Sequence, residues 1–201
     1  MVIYGIMLAA GMSSRMGSPK QLLDWHGQPL IAHVVTQACA SMLDGLIVVT
    51  GAAAESTQAV LSGIAAQRNI PVSVCFNPVY AQGQATSLRA GIAELPAKVH
   101  AIVVLLVDQP LITPALINHL IAAHQAHPAH LAVVPTYQGQ PGNPALLTRP
   151  VFEHYQQLQG DEGARQLFAH YREQILWLAV DDPAVVQDMD TPEVYRALRG
   201  V

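Results

Sequence analysis

The chain has 201 residues, of which 51% are hydrophobic and 12% are charged, and its formal net charge at pH 7 is −4. This length favours a single domain over residues 1–201 with a sizeable core, and the negative charge without a basic stripe argues against nucleic-acid binding. Residues 1–8 lack the basic start of a secretion signal, and no apolar run in the sequence has the length of a membrane span. We therefore predict a cytoplasmic protein with neither a nucleic acid nor a membrane as partner.

Apolar runs alternate with segments of helical spacing along the chain. Strands are predicted at residues 2–8, 46–50, 72–76, 101–107 and 131–134. Helices are predicted at residues 30–42, 53–66, about 86–95, and 114 to about 127, the last with Thr113 as N-cap and Pro114 in its first turn. This alternation predicts an α/β fold with a three-layer, doubly wound, mostly parallel sheet of Rossmann-like type. Ligand sites in such sheets lie at the carboxyl ends of the strands.

The first predicted strand leads into a small, basic loop at residues 8–20. Small residues leave its backbone accessible, serines can donate hydrogen bonds and two cations add positive charge; the residues concerned are Leu8, Ala9, Ala10, Gly11, Ser13, Ser14, Arg15 and Lys20. A strand that ends in such a loop is typical of a phosphate-binding site. A solvated turn with incidental basic residues has the same composition, and the loop matches neither the dinucleotide fingerprint nor the P-loop.

Carboxylates occur at two further places where a ligand could bind. Asp108 ends the most apolar predicted strand, so its side chain is expected at the ligand edge of the sheet. Mg²⁺ favours one or two carboxylates together with phosphate oxygens and waters, which makes Asp108 a candidate magnesium ligand, the alternative being a turn or cap residue. Near the end of the chain, Asp190 or Thr191 could cap a final helix that has Pro192 in its first turn.

The loop sequence Leu-Ala-Ala-Gly-x-Ser-x-Arg-Met-Gly-x-x-Lys resembles the signature of the nucleotidyltransferases related to the molybdenum cofactor guanylyl- and cytidylyltransferases. The continuation Gln-Leu-Leu at residues 21–23 and Gly-Gln-Pro-Leu at residues 27–30 resemble the same family, and Ala10 points to its cytidylyltransferase branch. The resemblance implies a Rossmann-like nucleotidyltransferase fold. It also implies a nucleoside triphosphate bound by the loop and a magnesium ion held by Asp108.

The resemblance extends to further site residues along most of the chain. It places the nucleotide near Asn77, Gly83, Thr86 and Ser87, in addition to the loop. The family completes its metal site with a residue of the Asp-x-Asp-Thr-Pro-Glu segment. Here this residue is either Asp188 or Asp190, and Asp190 is the first choice. Two further segments resemble those that face the acceptor in this family: Gly142, Asn143 and Pro144 in a turn predicted at residues 140–144, and Asp161 and Arg165 in a loop that enters a helix. Arg165 could hold the acceptor's phosphate or could instead pair with Asp161 or Glu162 on the surface.

These observations together predict a magnesium-dependent nucleotidyltransferase in which Arg15, Lys20 and Asp108 are catalytic. The family resemblance implies that CTP is the donor and molybdopterin carrying molybdenum the acceptor, with a molybdoenzyme or its maturation factor as a further partner. Two alternatives stay open at this point. One is a nucleotidyltransferase that uses GTP or a sugar phosphate, and the other is a non-catalytic carrier that hands the cofactor to a molybdoenzyme.

Overall fold

The computed structural model describes residues 1–13, 16–65, 69–157 and 169–200, and the predicted alternation of strands and helices is present in it. The strands are β1 (Ile3–Ala9), β2 (Asp24–Trp25), β3 (Gln28–Pro29), β4 (Gly45–Thr50), β5 (Val72–Phe76), β6 (Ala101–Leu106), β7 (Ala132–Tyr137), β8 (Gln140–Pro141), β9 (Ala145–Thr148) and β10 (Ile175–Ala179). The α-helices are α1 (Leu30–Cys39), α2 (Ala54–Ala65), α3 (Gln84–Ala93), α4 (Pro114–Ala126), α5 (Arg149–Gln157) and α6 (Pro192–Arg199).

Seven strands form the main path of one sheet in the order β10-β7-β9-β6-β1-β4-β5, and β8 pairs with β7 beside this path. β1 is parallel to both β4 and β6, β5 is parallel to β4, and β10 is parallel to β7. The prediction of a mostly parallel sheet is therefore confirmed. The exceptions are β9, which is antiparallel to both of its neighbours, β6 and β7, and the short β8, which is antiparallel to β7.

Apolar side chains cover both faces of the sheet, as expected for strands buried between two helical layers. Along β1, Ile3 and Met7 belong to one hydrophobic cluster, whereas Ile6 and Leu8 belong to the other. The first cluster includes residues of α1 and α4, and the second includes residues of α3 and α5. Successive side chains of a strand point to opposite faces, so the sheet is the middle of three layers.

The elements after residue 134 differ most from the predictions. β9, α5 and β10 are absent from the predicted set, because the apolar runs of the two strands are short and most residues of α5 are polar. The predicted turn at residues 140–144 was partly wrong, since Gln140 and Pro141 form β8 and pair with Tyr137 and Thr136. The predicted cap at Thr113 is confirmed, and of the two candidate caps of the last helix, Asp190 and Thr191, Thr191 is the cap. The side chains of Thr113 and Thr191 each accept a hydrogen bond from the first turn of the helix.

The sheet brings the carboxyl ends of its central strands to one edge. Leu8 of β1 is in register with Leu106 of β6, and Ala9 is in register with Thr50 of β4. The loops that follow these parallel strands therefore start side by side, which is where ligand sites form in this class of fold. In the described ranges, every helix is too short or too polar to serve as a membrane span.

Candidate active site

The loop after β1 is closed by a side-chain hydrogen bond. Ser13 has a backbone φ of 53°, in the left-handed region, and its Oγ accepts from the Lys20 amide at 2.9 Å. A short 3₁₀ turn, Lys20–Leu22, begins at this amide, and the Gln21 side chain reaches back to donate to the Ala9 carbonyl at 3.2 Å. These two bonds connect Ser13 in the loop to Lys20, and Gln21 after the loop to the end of β1. Ser14 and Arg15, both predicted site residues, lie outside the described residues.

The Lys20 ammonium connects carboxylates from two distant parts of the chain. Its Nζ lies 3.2 Å from Asp108 Oδ2 and 2.5 Å from Asp190 Oδ1. Only 8% of Lys20 is exposed. A buried ammonium is tolerated when it is paired with opposite charge. This arrangement gathers one cation and two carboxylates at the edge of the sheet, although their residues are separated by 88 and 170 positions in the sequence.

Asp108 lies in a mixed electrostatic environment. Burial raises the pKa of its carboxyl above the ordinary value, and the negative charges of Asp188 and Asp190 act in the same direction, whereas Lys20 lowers it. The net direction is upward, because burial has the largest effect. A positive charge near Asp108 therefore stabilises its ionised form.

The segment that carries Asp188 and Asp190 is attached to the end of β6. The Met189 amide donates to the Asp108 carbonyl at 2.8 Å, and Gln109 Nε2 donates to Asp188 Oδ1 at the same distance. The buried Gln109 side chain also reaches the Val185 carbonyl at 3.4 Å. These bonds hold the C-terminal carboxylates beside Asp108.

The structure shows which of Asp190 and Thr191 caps the last helix. Thr191 is the N-cap of α6, and its hydroxyl accepts from the Val194 amide at 3.4 Å. The Asp190 carboxylate instead pairs with Lys20, while Asp188 is exposed and contacts Gln109. Asp190 and Asp108 therefore share one cationic partner, and Asp188 lies beside them.

An open cleft of about 450 Å³ lies above these charges. Many of the predicted site residues line it, namely Leu8, Ala10, Gly11, Ser13, Lys20, Gly83, Ser87, Asp108 and Asp188. Several other residues that line the cleft were not predicted, namely Met12, Gln21, Tyr80, Ala81, Gln84, Leu106 and Val107. Most of these lie within or next to the segments that carry the family resemblance, and their proximity to the selected residues was the available signal.

Tyr80 forms a wall of the cleft that depends on a glycine. A Cβ added at Gly51 would lie 2.7 Å from Tyr80 Cγ and 2.6 Å from the Ala10 carbonyl oxygen. Such distances are too short for any other residue, so the loop after β4 can approach the loop after β1 only because residue 51 is glycine. The Ala52 amide then donates to the Ala10 carbonyl at 3.2 Å.

Asn77 and Thr86 shape the turn beneath the cleft. Asn77 is 1% exposed, and its Nδ2 donates to Thr86 Oγ1 at 2.8 Å and to Ser87 Oγ at 3.1 Å. Its Oδ1 accepts from the Val79 amide at 3.0 Å. Ser87 and Gly83 line the cleft, whereas Asn77 and Thr86 are not among the described residues that line it. The two buried side chains hold the turn that presents Gly83, at φ 110°, before α3.

Gly142, Asn143 and Pro144 are not among the described residues that line the cleft. The Gly142 amide donates to the Pro135 carbonyl at 2.9 Å, and the Asn143 amide donates to the Val185 carbonyl at 2.8 Å. These bonds brace the 3₁₀ turn Pro183–Val186, which leads into Asp188. Asp161 and Arg165, the other residues expected to face the acceptor, lie outside the described residues.

The donor set fits a magnesium ion that is completed by a substrate. In the part of the chain that the structure describes, no group of three or more His, Cys, Asp or Glu side chains is arranged to hold a metal. Asp108 and Asp190 nevertheless have oxygens within reach of one cation. Mg²⁺ commonly binds through one or two carboxylates, with phosphate oxygens and waters as its remaining ligands. Two converging carboxylates beside an open cleft satisfy this requirement.

Comparisons with known proteins agree with the fold. The family described as MobA-like NTP transferase domain matches residues 5–175. The purine catabolism protein PucB of Bacillus subtilis is 31% identical over 205 residues, which cover 98% of this chain and 96% of PucB. The molybdenum cofactor cytidylyltransferase of Escherichia coli is 28% identical over 197 residues, covering 94% of this chain and 92% of that protein.

Solved structures include the Rv0371c protein of Mycobacterium tuberculosis H37Rv. Its crystal structure has a TM-score of 0.82 and 32% identity, covering 100% of this chain and 98% of Rv0371c. A complex of Rv0371c with manganese has a TM-score of 0.77 and 30% identity, covering 100% of this chain and 99% of that one.

Proposed function

The chain belongs to the MobA-like NTP transferase family and is a nucleotidyltransferase, and we propose that it transfers CMP from CTP to a molybdopterin-type acceptor that carries molybdenum. The products are the molybdopterin cytosine dinucleotide and pyrophosphate. The observation that carries the proposal is the convergence of Lys20, Asp108 and Asp190 beside an anion-suited loop at the edge of the sheet.

The reaction needs positioning more than it needs a base. An oxygen of the acceptor's terminal phosphate forms a bond to the α-phosphorus of CTP, and the bond from this phosphorus to the β-phosphate oxygen breaks. The electron pair leaves with pyrophosphate. A phosphate monoester has a second pKa of about 6, so it is already largely a dianion at neutral pH. This explains how the site can work with cations, amides and carboxylates and without a histidine or serine nucleophile.

The chain's own cations have the task of holding the phosphates. Lys20 reaches the cleft from the end of the loop, and the accessible backbone at Ala10 and Gly11 allows phosphate oxygens to approach closely. Arg15 is proposed to add a second positive charge. Fixed donors that face developing charge stabilise the transition state without reorganising during the reaction.

Asp108 and Asp190 are proposed to hold Mg²⁺, and Asp188, which lines the cleft, is the alternative second carboxylate. When bound, the ion neutralises charge on the phosphate oxygens and helps to align them. Without a cation, two carboxylates beside a triphosphate would repel it. The manganese complex of Rv0371c supports a divalent cation in this family.

Two observations support CTP as the donor. Ala10 occupies the loop position that points to the cytidylyltransferase branch, and it is buried at 4% exposure directly beside the cleft. In addition, the E. coli relative that covers 94% of this chain is named as a molybdenum cofactor cytidylyltransferase. The named activity of that relative also supports molybdopterin as the acceptor.

The test is to incubate the purified protein with molybdenum-loaded molybdopterin, Mg²⁺ and each of CTP, GTP, ATP and UTP. Pyrophosphate release and the mass of the dinucleotide product are then measured. We expect the highest kcat/KM with CTP. A higher value with GTP would reverse the donor, and pyrophosphate release with sugar phosphates but not with molybdopterin would replace the acceptor. Retention of the cofactor without pyrophosphate release from any triphosphate would identify a carrier instead.

A further inference from the structure

The strongest unexplained feature of the site is the position of the Lys20 ammonium. Nζ bonds to one oxygen of Asp108 and one of Asp190, and these are the carboxylates proposed to hold the metal. The Lys20 side chain is only 10% exposed, whereas those of Asp108 and Asp190 are 24% and 38% exposed. The protein's own cation is therefore more buried than the two carboxylates that it contacts. Asp108 lines the cleft, whereas Asp190 is not among the described residues that line it.

We propose that Lys20 is a placeholder for the metal: its ammonium occupies Asp108 and Asp190 until a triphosphate draws it away, so that metal and nucleotide bind together. This inference rests on the proposed function for the identity of the site. It adds an order of assembly that the reaction alone does not require.

The ammonium and a divalent cation compete for this site. Both bind the same two carboxylates, and two cations in a partly buried site repel strongly because little water screens them. Removing the ammonium without replacement is also unfavourable, because Asp108 and Asp190 would lose the positive charge that they share. A cation between the two carboxylates, either the ammonium or the metal, offsets their mutual repulsion.

The Lys20 side chain has the freedom to leave the carboxylates while its backbone stays in place. Its amide is fixed by Ser13 Oγ at 2.9 Å, at the start of a 3₁₀ turn. Beyond the Cα, the side chain is a flexible four-carbon stem that ends in a compact charge. The same cleft is lined by Gly11 and Ser13, on the loop suited to phosphate. A short swing of the stem would exchange carboxylate partners for phosphate oxygens.

A triphosphate supplies oxygens for both the ammonium and the metal ion. Its oxygens can accept the Lys20 ammonium and can also complete the coordination of a divalent ion that Asp108 and Asp190 bind only in part. Binding of metal and of nucleotide is therefore positively coupled. Such coupling is reciprocal, so each ligand raises the affinity for the other by the same factor. The nucleotide-free protein should bind the metal weakly.

The decisive experiment measures Mn²⁺ binding by electron paramagnetic resonance in the absence of nucleotide. Lys20→Met removes the ammonium but keeps the length of the side chain, and we expect it to bind Mn²⁺ on the order of tenfold more tightly than wild type. Lys20→Arg keeps the positive charge and should stay weak. Lys98→Met is the matched control, because Lys98 is the other lysine of the chain and is exposed; it should resemble wild type.

A second readout covers the possibility that Lys20→Met is poorly folded. A bound metal stabilises the folded state, so Mn²⁺ should raise the melting temperature of Lys20→Met and of the second neutral variant, Lys20→Gln, more than that of wild type. Equal or weaker Mn²⁺ affinity in both neutral variants, with no larger thermal shift, overturns the placeholder.

Addition of a non-hydrolysable CTP analogue tests the coupling directly. Mn²⁺ affinity should rise in wild type and should rise less in Lys20→Met, where the placeholder is already gone. An equal rise in both proteins contradicts the proposal. The nucleotide-free measurement uses no triphosphate, so an incorrect donor or acceptor leaves it intact. Conversely, CMP transfer together with unchanged Mn²⁺ binding in the neutral variants would reject the placeholder and keep the proposed function.

Discussion

Charge pairing determines what individual side chains near the cleft can do. Lys20 is buried and forms ion pairs with both Asp108 and Asp190. Thr191, which directly follows Asp190, instead caps α6. Neighbouring residues therefore have separable tasks. Substitutions at this scale can distinguish a loss of chemistry from a loss of stability.

Lys20→Ala is expected to lower kcat for nucleotidyl transfer on the order of a hundredfold or more, because it removes a fixed donor to the phosphates. Steady-state kinetics with saturating CTP, acceptor and Mg²⁺ measures this, and circular dichroism checks the fold. Lys98→Ala removes the same charge from an exposed position and should keep the wild-type kcat. Near-normal turnover of folded Lys20→Ala would contradict the assigned role.

Asp190→Asn and Thr191→Ala should affect different properties of the protein, namely its Mg²⁺ requirement and its stability. Asp190→Asn removes a charge from the metal site and is expected to raise the Mg²⁺ concentration for half-maximal turnover. Thr191→Ala removes the cap of α6 and should cost about 1 kcal/mol of stability with little change in Mg²⁺ requirement. A magnesium titration and a urea unfolding curve on each variant separate the two. If Asp190→Asn left the Mg²⁺ requirement unchanged, Asp108 and Asp188 would be the remaining carboxylates to test.

His124 is expected to make the protein less stable in mild acid. Burial lowers the pKa of this side chain, so the unfolded chain takes up a proton more readily than the folded protein. Stability is then lost as the pH falls below about 6.5, the ordinary histidine value.

Melting temperatures between about pH 7.5 and about pH 5 test this prediction. The decrease should be smaller in His124→Leu than in wild type. His119→Leu, which changes an exposed histidine on the same helix, is the control and should retain the wild-type decrease. An identical decrease in all three proteins would assign the acid sensitivity to other groups.

At the scale of elements, the site depends on how the C-terminal segment is braced. The Met189 amide bonds to the end of β6, and the turn after β8 supports the preceding residues through the Val185 carbonyl. Gly142 is packed so tightly that a Cβ there would lie 2.2 Å from this carbonyl oxygen. A residue with no direct access to the cleft can therefore influence it.

Gly142→Ala is expected to cost about 1–3 kcal/mol of stability, because the added methyl group forces the backbone of Val185 to shift. It should also raise the Mg²⁺ requirement, since the displaced segment leads to Asp188 and Asp190. Urea unfolding and magnesium titration measure the two effects. Gly63→Ala is the control: the structure shows open space around Gly63 among the described residues, and alanine in a helix is favoured by up to about 1 kcal/mol. Equal stability of Gly142→Ala and wild type would show that the turn can adjust.

At the scale of the whole molecule, the two ends of the chain meet at the site. α6 packs on the β2–β3 hairpin, where the Tyr195 hydroxyl donates to the Asp24 carbonyl at 2.5 Å and Arg199 forms an ion pair with Asp24. The helix follows Asp190 directly. Its attachment to the N-terminal part of the chain therefore helps to keep Asp190 beside Lys20.

Tyr195→Phe is expected to cost about 0.5–1.5 kcal/mol through the lost hydrogen bond, and to raise the Mg²⁺ requirement less than Asp190→Asn does. Arg196→Ala is the matched control on the same helix, because Arg196 pairs with the exposed Glu193 of its own helix. Its melting temperature should stay at the wild-type value. If Tyr195→Phe left both the stability and the Mg²⁺ titration unchanged, the attachment of α6 through Tyr195 would not contribute to the site.

The predictable part of the protein is the part encoded in short stretches. β5 has the bounds predicted for residues 72–76, and Thr113 and Thr191 cap the helices that follow them. Hydrophobic alternation, N-capping residues and the signature loop each act within a few positions of the chain, so the sequence by itself specified most elements, the α/β class and the family. β9 and β10 escaped prediction because a strand of four or five residues is too short to show a distinctive period, and α5 escaped it because most of its residues are polar.

The tertiary structure alone decided which distant groups meet. Nothing in the Asp-Met-Asp-Thr segment at residues 188–191 indicates that its second carboxylate pairs with Lys20, 170 positions away, while the threonine caps the helix. The antiparallel direction of β9 and the contact of Gly142 with Val185 are likewise absent from any local pattern. The physical reason is that propensity acts between chain neighbours, whereas charge pairing and close packing depend on distances that exist only after the sheet has assembled.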